Sequence, residues 1–188
     1  MPAPTKTSRD AIVTAAADLL ETDGFDGLTM AAVADAVGVR GPSLYKHVPS
    51  RAHLVRAIAE RTALELRAAL ERAAASTPDP ADQVRAIALA HRAYVRAHPA
   101  SYALLFAPLE TGATPDSELV ASVGLPIVAA TAPLVGEDRA LEGARALAAW
   151  AHGFVSMELA GAFRLGGDVE AAYRFGLETL IAGLVSQR

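Results

Sequence analysis

Apolar residues along this chain recur at three- and four-residue intervals, and no stretch alternates apolar with polar positions as a half-buried strand would. From 9 to 23, Ile12, Ala16, Leu19 and Leu20 share one helical face. Thr7 and Asp10 stand at capping-box spacing before it, and Gly24 ends it. A second, short helix carries Met30, Val33, Ala34 and Val37, with Thr29 as its N-cap and Leu28 stapled onto Val33. Gly38 follows where the chain must turn with a positive φ, and Val39 fills the corner. Gly41-Pro42 then restarts the chain as N-cap and first-turn proline of a third helix, anchored inward by Leu44. Pro49-Ser50 closes it and caps a long helix over 51–75, whose inner stripe is Leu54, Ile58, Leu64 or Ala63, Leu66 and Leu70.

The run Ser-Thr-Pro-Asp-Pro-Ala-Asp from Ser76 is the clearest boundary. Asp79 caps and Pro80 opens a helix to about 97, carrying Val84, Ile87, Leu89, His91, Tyr94 and Val95. His98-Pro99 breaks it, and a short helix through Tyr102, Leu105 and Phe106 leads to a loop over 108–115. A helix over 116–134 must kink or split at Pro126. The helix over 139–164 is apolar on two faces, one with Leu141, Ala148, Val155 and Leu159, the other with Leu147, Trp150, Phe154, Met157 and Gly161, so it needs cover on both. After Gly166-Gly167 and the Asp168 cap, the last helix carries Tyr173, Leu177, Leu180, Ile181 and Leu184. The pattern predicts an all-α chain of about nine helices: an arm (1–8), a three-helix head (9–56) joined by the long fourth helix (51–75), and a helical bundle (77–188). The last two helices are rich in Ala and Gly, which suits an isologous four-helix homodimer interface.

Composition narrows the function classes. With 188 residues and no cysteine, there is neither a disulfide framework nor a thiolate metal site, and no metal or cofactor is expected. The N-terminus lacks an apolar signal core, and no run of eighteen apolar residues is free of charges or helix breakers. A soluble, cytoplasmic protein without a membrane partner is expected. No G-x-S-x-G, H-E-x-x-H or glycine-rich phosphate loop is present, so no enzyme is expected. The net charge of −4 speaks mildly against nucleic acid, but the charges are sorted: acids precede Arg40, whereas four basic residues and no acid lie between Arg40 and Arg56.

Two short helices around a tight corner, the second with hydroxyls and cations outward, form the pattern of a helix-turn-helix whose second helix enters the DNA major groove. The stretch G-V-R-G-P-S-L-Y-K-H-V-P-S-R (38–51) resembles the recognition-helix signature of the tetracycline-repressor (TetR) family of bacterial transcriptional regulators. The resemblance extends upstream through A-I-V-T-A-A-A-D-L-L-E-T-D-G-F-D-G-L-T-M, covering about residues 9–58. W-A-H-G-F-V-S-M-E-L-A-G-A-F from Trp150 resembles the Trp-His-Gly-containing C-terminal domain of one branch of that family. The resemblance implies that Thr29, Tyr45, His47 and Arg51 touch phosphates, and that Arg40, Gly41, Pro42, Ser43 and Lys46 reach base edges. It also implies a C-terminal domain that dimerises and holds a small-molecule effector.

For that effector, His91, Tyr94, Tyr102, Phe106, Trp150, His152, Phe154 and Met157 combine apolar bulk with a few polar handles. Aromatics and Met at this spacing are more often plain core. His152 reads first as a hydrogen-bonded core histidine. Glu158 stays open between solvent, Arg145 or Arg164, and a cationic ligand. The expected function is a repressor that binds a palindromic double-stranded DNA operator as a dimer and is released by an apolar or aromatic effector. Two alternatives stand: a dimeric DNA-binding protein governed by a protein partner without an effector, and an α-helical enzyme or carrier with a vestigial helix-turn-helix.

Overall fold

The computed structural model describes residues 8–187, and among them every regular element is helical. The all-α expectation is therefore met. Of the arm expected over 1–8, residues 1–7 lie outside the described residues, while Ser8 has a defined role. Its hydroxyl accepts the Ala11 N–H at 3.1 Å and caps the first helix, while Thr7, the cap expected from sequence, lies outside the described residues. The chain gathers into two compact units, residues 1–63 with 98–120, and residues 64–97 with 121–188. Their division is not sequential: residues 98–120, which the linear reading groups with the C-terminal bundle, cluster with the head.

The first unit contains α1 (Arg9–Gly27), α2 (Met30–Ala36), α3 (Gly41–Tyr45), the opening half of α4 (Arg51–Ala74), and the short α6 (Pro99–Ala103). α1 bends sharply at Gly24, whose φ of 72° few side chains would accept. Ile12, Ala16, Leu20, Leu28, Val33, Leu44, Leu54 and Ile58 form its core, and Leu104 and Ala113 join from the returning segment. α6 is fastened to α1 by Glu21, whose two carboxylate oxygens accept the N–H groups of Ala100 (2.9 Å) and Ser101 (2.8 Å).

The second unit contains the remainder of α4, α5 (Pro80–Ala97), and, beyond the six-residue α7 (Ser117–Ser122) near the unit boundary, α8 (Leu125–Val135), α9 (Ala140–Leu159) and α10 (Val169–Val185). The break expected near Pro126 falls at Gly124, and Pro126 sits in the first turn of α8. The span Ser117–Val135 is apolar and long enough to cross a membrane by composition, with a mean hydropathy of 1.7. It is split into two helices, and α8 buries Ile127, Ala130, Thr131, Ala132 and Leu134 in the bundle. On α4 the inner stripe takes Ala63, fully buried, and leaves Leu64 54 % exposed.

α9 ends earlier than its apolar pattern suggests. Gly161, with φ 61°, is not part of a helical face but the turn after it. Gly161 N–H donates to the Glu158 carbonyl at 3.0 Å and Ala162 N–H to the Met157 carbonyl at 2.9 Å, a Schellman closure. Leu147 and Val155 are buried, whereas Leu141, Met157 and Leu159 are about half exposed, so only one side of α9 is covered within the chain. α10 crosses α9 where Gly176 lies against Trp150. A Cβ there would stand 2.8 Å from the indole.

Candidate nucleic-acid interface and effector-side cluster

α2 and α3 meet across a corner closed by backbone bonds. Gly38 N–H donates to the Asp35 carbonyl at 3.1 Å, and Val39 N–H to the Ala34 carbonyl at 2.9 Å. Gly38 takes φ 69°, the conformation that ends α2 in the left-handed region. Thr29 caps α2 by accepting the Ala32 N–H at 3.1 Å, which leaves its hydroxyl proton for another acceptor. The N-cap of α3 is Arg40, not Gly41: Arg40 is extended (φ −78°, ψ 147°) and its carbonyl accepts the Ser43 N–H at 2.8 Å. Gly41 therefore lies inside the first turn beside Pro42, and a Cβ there would meet nothing within 4 Å. With Leu44 fully buried, Arg40, Pro42, Ser43, Tyr45, Lys46 and His47 stand exposed on one side of the head.

Arg51 departs from this picture. Its Nε donates to the Leu28 carbonyl at 2.6 Å, its second nitrogen donates to the Phe25 carbonyl at 2.5 Å, and the guanidinium lies 4.1 Å from the centre of the Phe25 ring. A planar fork on two carbonyls and an aromatic face is a structural tie between α4 and the bend that leads into α2. Two of the guanidinium nitrogens are thus committed to main-chain carbonyls, in a side chain that stays partly exposed.

The eight effector candidates are divided between the two units. Tyr102 and Phe106 belong to the first unit, where their rings stack 5.2 Å apart and Phe106 is largely exposed. His91, Tyr94, Trp150, His152, Phe154 and Met157 belong to the second. Trp150 and Phe154 share an aromatic cluster with Tyr173 and Phe163, ring centres 4.8–5.8 Å apart. Met157 sits on the exposed side of α9, and the Tyr94 hydroxyl donates to Glu65 at 3.1 Å. His91 is buried on α5. Burial, and secondarily the neighbouring His152, pushes its imidazole down to about 4, so it is neutral at physiological pH. An open cleft of about 470 Å³ in this unit is lined by Glu71, Gln83, Leu125, Pro126 and several alanines, and none of the eight candidates lines it.

Sequence reading missed the centre of the aromatic cluster, which is ionic. Arg92 is buried, its guanidinium 4.3 Å from the centre of the Tyr173 ring. It donates to both oxygens of Glu158, at 2.8 and 2.9 Å, and to Glu170 at 2.5 Å. Glu158, left open from sequence, thus has Arg92 as its principal partner, with Arg96 at 3.8 Å. The hydrogen bonds from Arg92 hold the Glu158 carboxyl below the usual carboxylate range. The Tyr173 hydroxyl donates to the Ala88 carbonyl at 2.7 Å, completing a polar tie among α5, α9 and α10.

Compared with known families, residues 12–58 match the bacterial regulatory proteins of the tetR family, and residues 84–180 match the tetracyclin repressor-like C-terminal domain. The chain belongs to the TetR family. This TetR-family chain is 34 % identical over 166 residues to an uncharacterised helix-turn-helix transcriptional regulator of Mycobacterium tuberculosis, covering 84 % of this chain and 73 % of that one. Among solved structures it resembles a protein of unknown function from Rhodococcus sp. RHA1 at 27 % identity, with a TM-score of 0.82 and coverage of 98 % and 99 %. It shares its fold with a TetR variant from Acinetobacter baumannii solved in complex with minocycline (24 % identity, TM-score 0.68, coverage 97 % and 99 %). As a TetR-family member the protein is a DNA-binding transcriptional regulator, and its family and relatives are regulators rather than enzymes.

Proposed function

We infer that this regulator is a homodimeric repressor that holds a palindromic operator and releases it when a small molecule enters the C-terminal unit. The observation that carries the DNA half of this reading is the exposed row Arg40, Pro42, Ser43, Tyr45, Lys46 and His47 beside a Gly41 with open space around it. Cations and hydroxyls without a side chain at Gly41 let backbone and base edges come close. Arg40, Ser43 and Lys46 carry base readout, and Thr29, Tyr45 and His47 carry phosphate contacts. Two such heads in successive major grooves stand roughly 34 Å apart.

Dimerisation is supported by what the chain leaves uncovered. α9 exposes Ala146, Ala149, Ser156 and Met157, and α10 exposes Ala172, Phe175, Thr179 and Ala182, with Phe175 75 % exposed. Small residues around a protruding ring suit close packing against the same surface of a second copy. The effector reading rests on the aromatic cluster of the C-terminal unit and on the family relation. A protein of the same fold is solved with minocycline, which supports a small molecule as the release signal. Of the candidates, His91, Tyr94, Trp150, His152 and Phe154 are the ones to test. A neutral His91 and the already compensated Glu158 favour an uncharged apolar or aromatic effector. Such a protein acts in the cytoplasm, where its operator lies.

The test is fluorescence anisotropy of the purified protein on DNA flanking its own gene, across a salt series. Two protomers per site, selective binding that weakens with salt, and loss of affinity in Tyr45→Phe and Lys46→Ala are expected. A small-molecule library then separates effector release from regulation by a protein partner. Binding that ignores sequence on every genomic fragment would overturn the repressor reading.

A further inference from the structure

Beside the recognition helix the first unit holds a concavity of about 230 Å³ that the family resemblance does not mark. It is lined by Arg9 from the start of α1, His47, Val48 and Pro49 from the turn between α3 and α4, and His53, Arg56 and Glu60 from α4. Four of these seven side chains can present N–H donors, and three of the four, Arg9, His53 and Arg56, lie outside the DNA-contact set read from sequence. Its one carboxylate is already engaged, because Glu60 accepts from Arg56 Nε at 2.6 Å. Glu60 is met by Arg56 through Nε, Asp116 adds a second, longer-range negative charge to Arg56, and Arg9 brings a further cation to the hollow.

His53 is held by Ser50. The Ser50 hydroxyl oxygen accepts the His53 backbone N–H at 3.3 Å and lies 2.8 Å from His53 Nδ1. In the neutral tautomer whose Nδ1 accepts from the Ser50 hydroxyl, and in the protonated ring alike, the outward Nε2 carries a hydrogen to donate. Ser50 is then a positioning residue for His53. Donors from α1, α4 and the turn between α3 and α4, around a hollow whose one lining acid is compensated, have the chemistry of a phosphodiester seat, with Asp116 the further acid acting on Arg56. His47 belongs both to this hollow and to the exposed row of α3.

We propose that the Arg9–His47–His53–Arg56 concavity seats one backbone phosphate of each DNA half-site, so that α1 and α4 grip the duplex alongside the recognition helix. This rests on the DNA-binding reading above and adds to it a specific ligand group and residues. A phosphate seat sets register and affinity without reading sequence.

The experiment compares the full-length protein with Arg9→Ala/His53→Ala on a duplex from the flanking DNA and on a scrambled duplex of the same length. Neutralising one phosphate contributes about 0.9 to the slope of log affinity against log salt. Removing the seat from both protomers is therefore expected to flatten that slope by about 1.8 and to weaken both duplexes by the same factor. A methylphosphonate scan supplies the second readout. At one position per half-site the uncharged linkage should weaken the wild type and leave the double variant unchanged, while Ser50→Ala shows a smaller loss at that same position. Matching melting curves verify that the variants are folded. An unaltered salt slope, or methylphosphonate effects that add to the double variant at every position, overturns the seat even where the wild type binds DNA. Wild-type protein that binds neither duplex overturns both the seat and the DNA reading.

Discussion

Glu21 on α1 holds the first turn of α6 from eighty residues away: one oxygen accepts the Ser101 N–H at 2.8 Å and the other the Ala100 N–H at 2.9 Å. A helix begins with N–H groups that its own turns cannot satisfy, and a carboxylate set across two of them answers both hydrogen bonding and dipole. Glu21→Ala leaves those two groups without the carboxylate. Hydrogen bonds to a charged acceptor are worth about 1.5–3 kcal/mol, so urea unfolding should show a loss of about 2 kcal/mol. An unchanged midpoint would mean that water replaces the carboxylate without cost.

Arg51 makes a different kind of prediction, because its guanidinium faces two carbonyls and the Phe25 ring. Arg51→Lys should lower thermal stability, since an ammonium cannot bridge both carbonyls while lying flat on the ring. A contact made only to DNA would weaken operator binding with no change in melting. Differential scanning calorimetry without DNA distinguishes the two.

The Arg92–Glu158 pair is nearly out of solvent, at 7 % and 17 % side-chain exposure. Removing one partner of a buried pair costs about 3–5 kcal/mol, because the other charge stays behind. Glu158→Gln should therefore destabilise the protein severely, and Arg92→Met with Glu158→Gln should recover part of the loss. A double-mutant cycle by denaturant unfolding reads the coupling. Additive effects would show that Glu170 alone suffices for Arg92.

His91 predicts an acid limb in stability. Its imidazole is pushed down to about 4 in the folded protein, so the unfolded chain binds a proton first as pH falls. Stability should decline from about pH 6.5, the ordinary histidine value, towards 4 and then level off with respect to this group. His91→Gln should flatten the melting temperature across that window. Glu158 acts in the same direction but at lower pH, since its carboxyl is held below the usual range.

Gly41 tests the reading face without disturbing the fold. Open space surrounds its Cβ position, and its φ is not in the left-handed region. Gly41→Val should leave melting within about 1 kcal/mol, the β-branched helix penalty being that small. It should weaken operator binding, measured by anisotropy, at least tenfold.

The head was legible because its determinants are local. Thr29, Gly38, Pro42 and Leu44 act on neighbours within five residues, and each occupies the turn or face that its chemistry predicts. The one-residue shift of the α3 cap to Arg40 is a near miss of the same local kind. What stayed hidden depends on distant partners. Arg92 looks like a solvent-facing cation until Glu158, sixty-six residues on, is seen beside it. Nothing in the sequence around Arg51 reveals that the Phe25 and Leu28 carbonyls accept from its guanidinium. Gly161 fell at an apolar register position, and only its positive φ marks it as a terminator. The division of the effector candidates between the units was hidden for the same reason: aromatic residues at helical spacing say that something packs there, not which unit they pack in.

The chain passes from one compact unit to the other after Ala63, after Ala97 and after Val120. A chimaera joining residues 1–63 of this protein to another regulator's body would part Leu104 and Ala113 from the Ile12–Leu20 core and Glu21 from α6. To keep this operator preference under a foreign signal, the graft must carry residues 98–120 as a second inset. Exchange of specificity between such regulators is thus a two-piece transplant, and a single crossover yields a head with its own lining missing.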